Sequence, residues 1–166
     1  GHMEMFRKRG FWLSALFVGQ TVTIIVLGGF QDQIAKAAVI AVFMPLVISC
    51  GGNSGSQAAT LVIGALALGE VRIGDWLAIV RREVVTALML CTVLAALGLV
   101  CVEMFTAMDH PRTDHPVLLG VTVAGSIFGV VLWGTLLGSL LPLVLQRFRF
   151  DPATASSPMV ATLMDA

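Results

Sequence analysis

The chain has 166 residues, of which 57% are apolar and only 12% are charged, and its formal net charge at pH 7 is zero. Soluble domains carry about 25% charged residues, so this composition excludes an ordinary soluble domain. The balanced charge also excludes a nucleic-acid-binding protein, which needs a basic surface to neutralise phosphates. A mean hydropathy of +0.94 predicts an integral membrane protein instead.

Long stretches without Asp, Glu, Lys, Arg or His recur along the chain, and they define the predicted membrane spans. A helix needs about 20 apolar residues to cross roughly 30 Å of hydrocarbon, and backbone groups in lipid pair internally, which favours helices. The four complete stretches are residues 10–31, 37–69, 84–102 and 116–146. A fifth begins at Pro152 and is still apolar at Met164. The predicted fold is an all-α membrane protein, a helical bundle of four full transmembrane helices plus the start of a fifth.

The segment before the first span contains residues 1–8, and the remaining residues 9–166 form the predicted membrane domain. Gly1, His2 and Met3 are typical of a tag remnant. The residues after them are interpreted as a cytoplasmic lead-in. We expect no cytosolic domain before the first span.

The second stretch, residues 37–69, is too long and too interrupted to predict a plain span. Its 33 residues would form a helix of about 50 Å. Pro45 lies within it, followed by the small and polar sequence SCGGNSGSQ at residues 49–57.

Two interpretations of this polar sequence remain open. In the structural one, Gly51 and Gly55 form a GxxxG face for close helix packing, and Asn53 and Gln57 hydrogen-bond across helices. In the functional one, the glycines loosen the backbone and expose it. Asn53 and Gln57, one turn apart, then face a water-filled path, with Gly52 also lining it. The two are compatible, because a pore between helices needs both close packing and a polar lining.

Charged residues mark the start of the third span. Asp75, immediately before Trp76, is predicted to cap its N-terminus. Glu83 is interpreted as interfacial charge beside Arg81 and Arg82.

The fourth stretch contains small residues at regular spacing, which predicts helix packing along its length. The glycines lie four or five residues apart, at Gly120, Gly125, Gly129, Gly134 and Gly138.

The fifth stretch combines a helix-start signal with an acidic residue. Ser157 as N-cap and Pro158 at the first helical position predict a helix. Asp165 would lie about 10 Å further along its axis. An aspartate at membrane depth indicates a functional site, although a solvated carboxylate close to the end of the sequence is the alternative.

The cations indicate the orientation. Eight of the ten Lys and Arg residues fall before the first span or in the second and fourth connections, and two fall on the opposite side, at Lys36 and Arg112. By the positive-inside rule, the N-terminus is cytoplasmic in the plasma (inner) membrane.

Three segments resemble the MgtE family of magnesium channels and transporters. Residues 44–61, with the GGNSGSQ motif, resemble the second membrane helix of that family, and residues 65–76 continue the match into the third. Residues 151–165, from Asp-Pro-Ala to Met-Asp, resemble the start of the fifth. The family normally carries cytosolic sensor domains before the first span and a longer fifth helix, so this chain is similar to the transmembrane domain alone. Gly64 stands where relatives commonly have arginine.

The resemblance implies a two-fold homodimer with the pore at its interface, lined by the second and fifth helices. Asp165 matches the aspartate that holds hydrated Mg²⁺, and the backbone carbonyl of Ala161 faces the same ion. Asn53 matches a pore-lining asparagine, and Asp151 matches an acidic residue at the cytoplasmic mouth.

The expected function is magnesium transport through this pore, with Mn²⁺, Co²⁺ or Ca²⁺ as further ions for the same site. Oxygen ligands and few carboxylates suit an ion that keeps its waters. The competing hypotheses are a proton- or other-cation-coupled carrier with Asp165 as a protonatable relay, and an assembly module without transport. No enzyme motif, nucleic-acid surface or small organic substrate is expected.

Overall fold

The computed structural model describes residues 2–36, 38–108, 115–152 and 159. These form five α-helices: α1 (His2–Gly29), α2 (Gln31–Lys36), α3 (Ala38–Ala67), α4 (Trp76–Ala107) and α5 (Pro116–Arg147). A 3-10 turn at Ile73–Asp75 precedes α4, and the described residues contain no strand. The all-α prediction is confirmed.

Four of the helices are long and apolar enough to cross a membrane, and they match the four predicted spans. The qualifying segments are Arg9–Gly29, Ala38–Ala67, Trp76–Ala107 and Pro116–Arg147. The chain is therefore a multi-pass membrane protein. The predicted start of a fifth helix lies outside the described residues, apart from Pro152 and Met159.

The helix ends are defined by local backbone chemistry. After α3, Gly69 adopts a positive φ of 72°, and the Glu70 N–H donates to the Ala65 carbonyl at 3.0 Å. This closure satisfies carbonyls that the last turn would otherwise leave unpaired. Before α4, Asp75 occupies the N-cap position as predicted. Its carboxylate, however, accepts a hydrogen bond from the Arg72 N–H at 3.0 Å, so it closes the preceding turn and does not cap α4.

The expectation that the second span is interrupted is wrong. α3 is one continuous helix that includes Pro45 and all of residues 51–57. In lipid, a broken helix would leave backbone groups without water as a partner, which favours continuity. At about 1.5 Å per residue, its 30 residues exceed the hydrocarbon thickness, and tilting accommodates such an excess.

The core lies between α3, α4 and α5, with α5 packed against both of the others. At one end of the bundle, Phe43 and Phe105 meet edge to face with ring centroids 5.2 Å apart. At the other end, Val62, Ile79 and Leu143 form a second buried cluster. Among the described helices, α1 packs mainly on α2.

Aromatic contacts bring the cationic ends of the helices together. Trp12 of α1 meets Phe150, just beyond α5, with ring centroids 5.9 Å apart. Trp76 and Arg147 line one small cavity between the start of α4 and the end of α5. The predicted grouping of these cationic segments at one end of the molecule agrees with this arrangement.

Candidate functional site

The polar sequence of α3 is divided between two faces of the helix. Gly51, Ser54, Gly55 and Ala58 are buried. Asn53 and Gln57, one turn apart, are exposed on the other face. This division follows from the helical repeat, which places residues three and four apart on the same side. The small residues therefore pack, and the two amides face outward.

The buried face of α3 meets α5 at very close range. A Cβ added at Gly138 of α5 would lie 2.7 Å from the carbonyl carbon of Gly55 and 2.9 Å from its Cα. One turn away, the hydroxyls of Ser54 and Thr135 form a buried hydrogen bond of 2.6 Å. The packing interpretation is confirmed for Gly51 and Gly55, both of which are buried. Asn53, by contrast, bonds within its own helix.

The exposed face of α3 carries an open groove of about 530 Å³. The described residues that line it all belong to α3: Asn53, Ser56, Gln57, Thr60 and Leu61. The Asn53 amide Nδ2 donates to Ser49 Oγ at 3.2 Å. The Thr60 hydroxyl donates to the Ser56 carbonyl at 2.8 Å. Amide and hydroxyl oxygens are therefore presented on a membrane-depth surface where apolar side chains would be expected.

The remaining predicted site residues are separated from this groove or lie outside the described structure. Gly52 is half-buried at the edge of the polar face and is not among the groove-lining residues. Asp151 is exposed beyond the end of α5. Asp165 and Ala161 fall outside the described residues. Within the described part of the chain, no group of three or more His, Cys, Asp or Glu side chains is placed to hold a bare metal ion.

Sequence reasoning missed three residues of the groove: Leu61 and the two polar ones, Ser56 and Thr60. The sequence contained a pattern that predicts Ser56 and Thr60: with Asn53 and Gln57 they recur at helical spacings of three and four residues, which places them on one face.

Glu83, interpreted as interfacial charge beside the arginines, is only 5% exposed, and its carboxylate lies 3.5 Å from the exposed Arg82 guanidinium. The prediction about glycine packing on α5 needs correction. Gly125 and Gly129 were expected to pack, but both are exposed, and an added Cβ would meet no described residue within 4 Å. Lipid and protein are similarly apolar surroundings, so glycine spacing alone does not distinguish a packed helix face from a lipid-facing one.

Comparison with known proteins identifies the family. The family model for MgtE, described as a divalent cation transporter, matches residues 44–166. The chain belongs to the MgtE family. The match includes the whole of the α3 polar face and extends through Asp165, so the resemblance read from the GGNSGSQ motif is confirmed.

Curated MgtE relatives align along almost the whole chain. The protein named magnesium transporter MgtE from Thermus thermophilus is 34% identical over 166 residues, which cover 99% of this chain and 35% of that protein. Its namesake from Bacillus subtilis is 29% identical over 99% of this chain and 34% of its own length. The Enterococcus faecalis protein of the same name is 27% identical over 95% of this chain. The chain thus spans about a third of the length of these relatives.

Proposed function

We propose that this chain is the membrane part of a Mg²⁺ transporter and that the hydrated ion passes along the polar face of α3. The observation that carries the proposal is the groove of Asn53, Ser56, Gln57 and Thr60 on an exposed face at membrane depth. The MgtE relatives are named magnesium transporters, and this name is the reason for proposing Mg²⁺ as the ion.

The chemistry of the groove suits an ion that keeps its water shell. Mg²⁺ is octahedral, favours oxygen and dehydrates reluctantly. Six waters occupy roughly 180 Å³ at the liquid's share of about 30 Å³ each, and the groove of about 530 Å³ has room for them. Neutral amide and hydroxyl groups can exchange hydrogen bonds with those waters without trapping the ion.

A second copy of the chain supplies the missing wall in this proposal. Every described lining residue comes from one helix, so the described part of the chain supplies one side of the proposed path. A two-fold axis along that face would turn two grooves into one pore, because a two-fold interface brings the same surface from both copies together. The tight α3–α5 contact lies on the opposite side of α3 and supports this wall from behind.

The fifth helix completes the proposed site. Asp165, doubled by symmetry, would provide the negative charge that attracts a divalent cation, and the Ala161 carbonyl would face the same ion's waters. Asp151 would lie at the cytoplasmic mouth. The proposed location is the plasma (inner) membrane with a cytoplasmic N-terminus, and Mn²⁺, Co²⁺ and Ca²⁺ are candidate competitors at the same site.

The test replaces the groove's central amide in the full-length protein reconstituted in liposomes. Asn53→Leu removes the polar contact to the ion's waters and narrows the path, so Mg²⁺ uptake should fall about tenfold or more, equivalent to about 1.4 kcal/mol. Thr92→Leu is the matched control, because Thr92 is exposed on α4, away from the groove. Unchanged uptake in a folded Asn53→Leu protein would assign the α3 motif to packing alone.

A further inference from the structure

The small cavity between the start of α4 and the end of α5 is separate from the groove of α3. It measures about 220 Å³ and is lined by Trp76 of α4 and by Leu140, Leu143, Val144 and Arg147 of α5. None of these residues lines the groove. The proposed ion path therefore leaves this cavity without a role.

The lining of the cavity changes from polar to apolar along the helix axis. Trp76 begins α4 and Arg147 ends α5, so both lie at the ends of membrane spans, where the lipid headgroups are. Leu140 lies about two turns earlier on α5, roughly 10 Å deeper along the helix. A phospholipid has the same order, with a polar headgroup at the interface and acyl chains below it.

The polar groups at the shallow end suit a phosphate. Arg147 is exposed, and its guanidinium forms no ion pair with any described carboxylate. The carboxylates of Asp75 and Asp151, close to Trp76 and Arg147 in sequence, are not among the groups that line the cavity. A guanidinium binds phosphate oxygens through paired N–H donors, and the Trp76 indole N–H is a further donor.

We propose that this cavity binds one anionic membrane phospholipid, with its phosphate on Arg147 and one acyl chain beside Leu140 and Leu143. Pockets that enclose a whole drug-sized ligand measure about 300–1,000 Å³, so a cavity of about 220 Å³ takes a segment of a longer molecule. Basic pockets between membrane helices on the cytoplasmic side bind anionic headgroups in this way. The inference goes beyond the proposed function and does not depend on the ion path.

The first test measures lipid binding to the delipidated full-length protein in detergent by native mass spectrometry. Phosphatidylglycerol should bind about fivefold or more tightly than phosphatidylcholine with the same acyl chains, because only the first lipid has a net negative charge. Glycerol 3-phosphate, which has the phosphate without the chains, should not compete at lipid concentrations. Equal affinity for the two lipids would overturn the inference, and so would competition by glycerol 3-phosphate, which would indicate a site for free phosphate.

The second test changes the two ends of the cavity separately, in variants whose circular dichroism shows that they are folded. Arg147→Gln should weaken phosphatidylglycerol binding about tenfold or more, because it removes charge-assisted hydrogen bonds. Arg81→Gln is its control, since Arg81 is exposed and lies outside the cavity. Val144→Trp should fill the cavity from an exposed position and also weaken binding, whereas Val121→Trp, exposed elsewhere on α5, should not.

Two results of the second test would overturn the inference. Equal losses in Arg147→Gln and Arg81→Gln would indicate a general attraction of lipid to the cationic end of the protein. Unchanged binding in Val144→Trp would show that no acyl chain enters the cavity. Neither result concerns Mg²⁺ uptake, so the proposed function would stand in both cases.

Discussion

The contact between Gly55 and Gly138 allows a sharp prediction for Gly138→Ala. The new methyl group would lie 2.7 and 2.9 Å from two backbone carbons of Gly55, with the Gly55 carbonyl oxygen closer still. Carbon atoms prefer about 3.5–4.0 Å, and backbone on two packed helices cannot rotate away as a side chain can. The helices must therefore separate locally by roughly 1 Å, a gap that forfeits a quarter to a half of the contact energy on their facing atoms.

The separation also affects a hydrogen bond one turn away. Ser54 and Thr135 hydroxyls are 2.6 Å apart, and a shift of this size takes them beyond hydrogen-bonding distance. Overpacking typically costs about 1–3 kcal/mol, and a hydrogen bond between membrane helices contributes about 0.6 kcal/mol. We expect Gly138→Ala to lower the free energy of unfolding by about 2–4 kcal/mol.

The assay is unfolding in mixed detergent–SDS micelles, followed by loss of helical circular dichroism. Gly129→Ala is the matched control on the same helix, because an added Cβ there meets nothing within 4 Å. It should stay within about 0.5 kcal/mol or gain slightly from alanine's better helix propensity. Equal unfolding free energies for Gly138→Ala and Gly129→Ala would refute the argument that the two backbones touch.

Three further predictions concern the hydroxyl pair, the fifth segment and the orientation. Thr135→Val should lower the unfolding free energy by about 0.5–1.5 kcal/mol in the same micelles. The control Thr92→Val loses only a hydrogen bond to its own helix and should lower it by less. Equal losses would contradict the interhelical role of the Thr135 hydroxyl. Asp165→Asn should abolish Mg²⁺ block of monovalent current while the protein stays folded, because it removes the charge that attracts the dication; retained block would place the ion elsewhere. The orientation is tested in a background without native cysteines. Arg149→Cys should react only with thiol reagent supplied from the cytoplasmic side, and Arg112→Cys only with external reagent. The reverse pattern would invert the proposed topology.

The spans were predictable because membrane helices are defined by the length of their uncharged stretches, and the ends of α3 and α5 follow those stretches closely. The packed face at Gly51 and Gly55 was also predictable, since small residues at a spacing of four permit close approach. Which glycines of α5 are buried was not predictable: Gly129 is exposed and Gly138 is buried, although both have the same chemistry, and Gly138 is the one that lies against α3. The burial of Glu83 was not predictable either. The neighbouring arginines indicate a membrane interface, but they do not indicate which side of the helix packs against protein.

The exposure of the apolar side chains of α1 has a consequence for how its sequence can vary. All the buried hydrophobic side chains in the described part of the chain belong to α3, α4 and α5. Among the described helices, α1 packs mainly on α2, so its exposed apolar positions depend on hydrophobicity more than on side-chain shape. Leu, Ile, Val and Phe should therefore replace one another freely along residues 13–27, whereas a side chain at position 138 is destabilising because it meets the Gly55 backbone. Two rates of sequence change are expected within one domain: a fast one, limited only by hydrophobicity, in the first span, and a slow one, limited by backbone contact, where α3 meets α5.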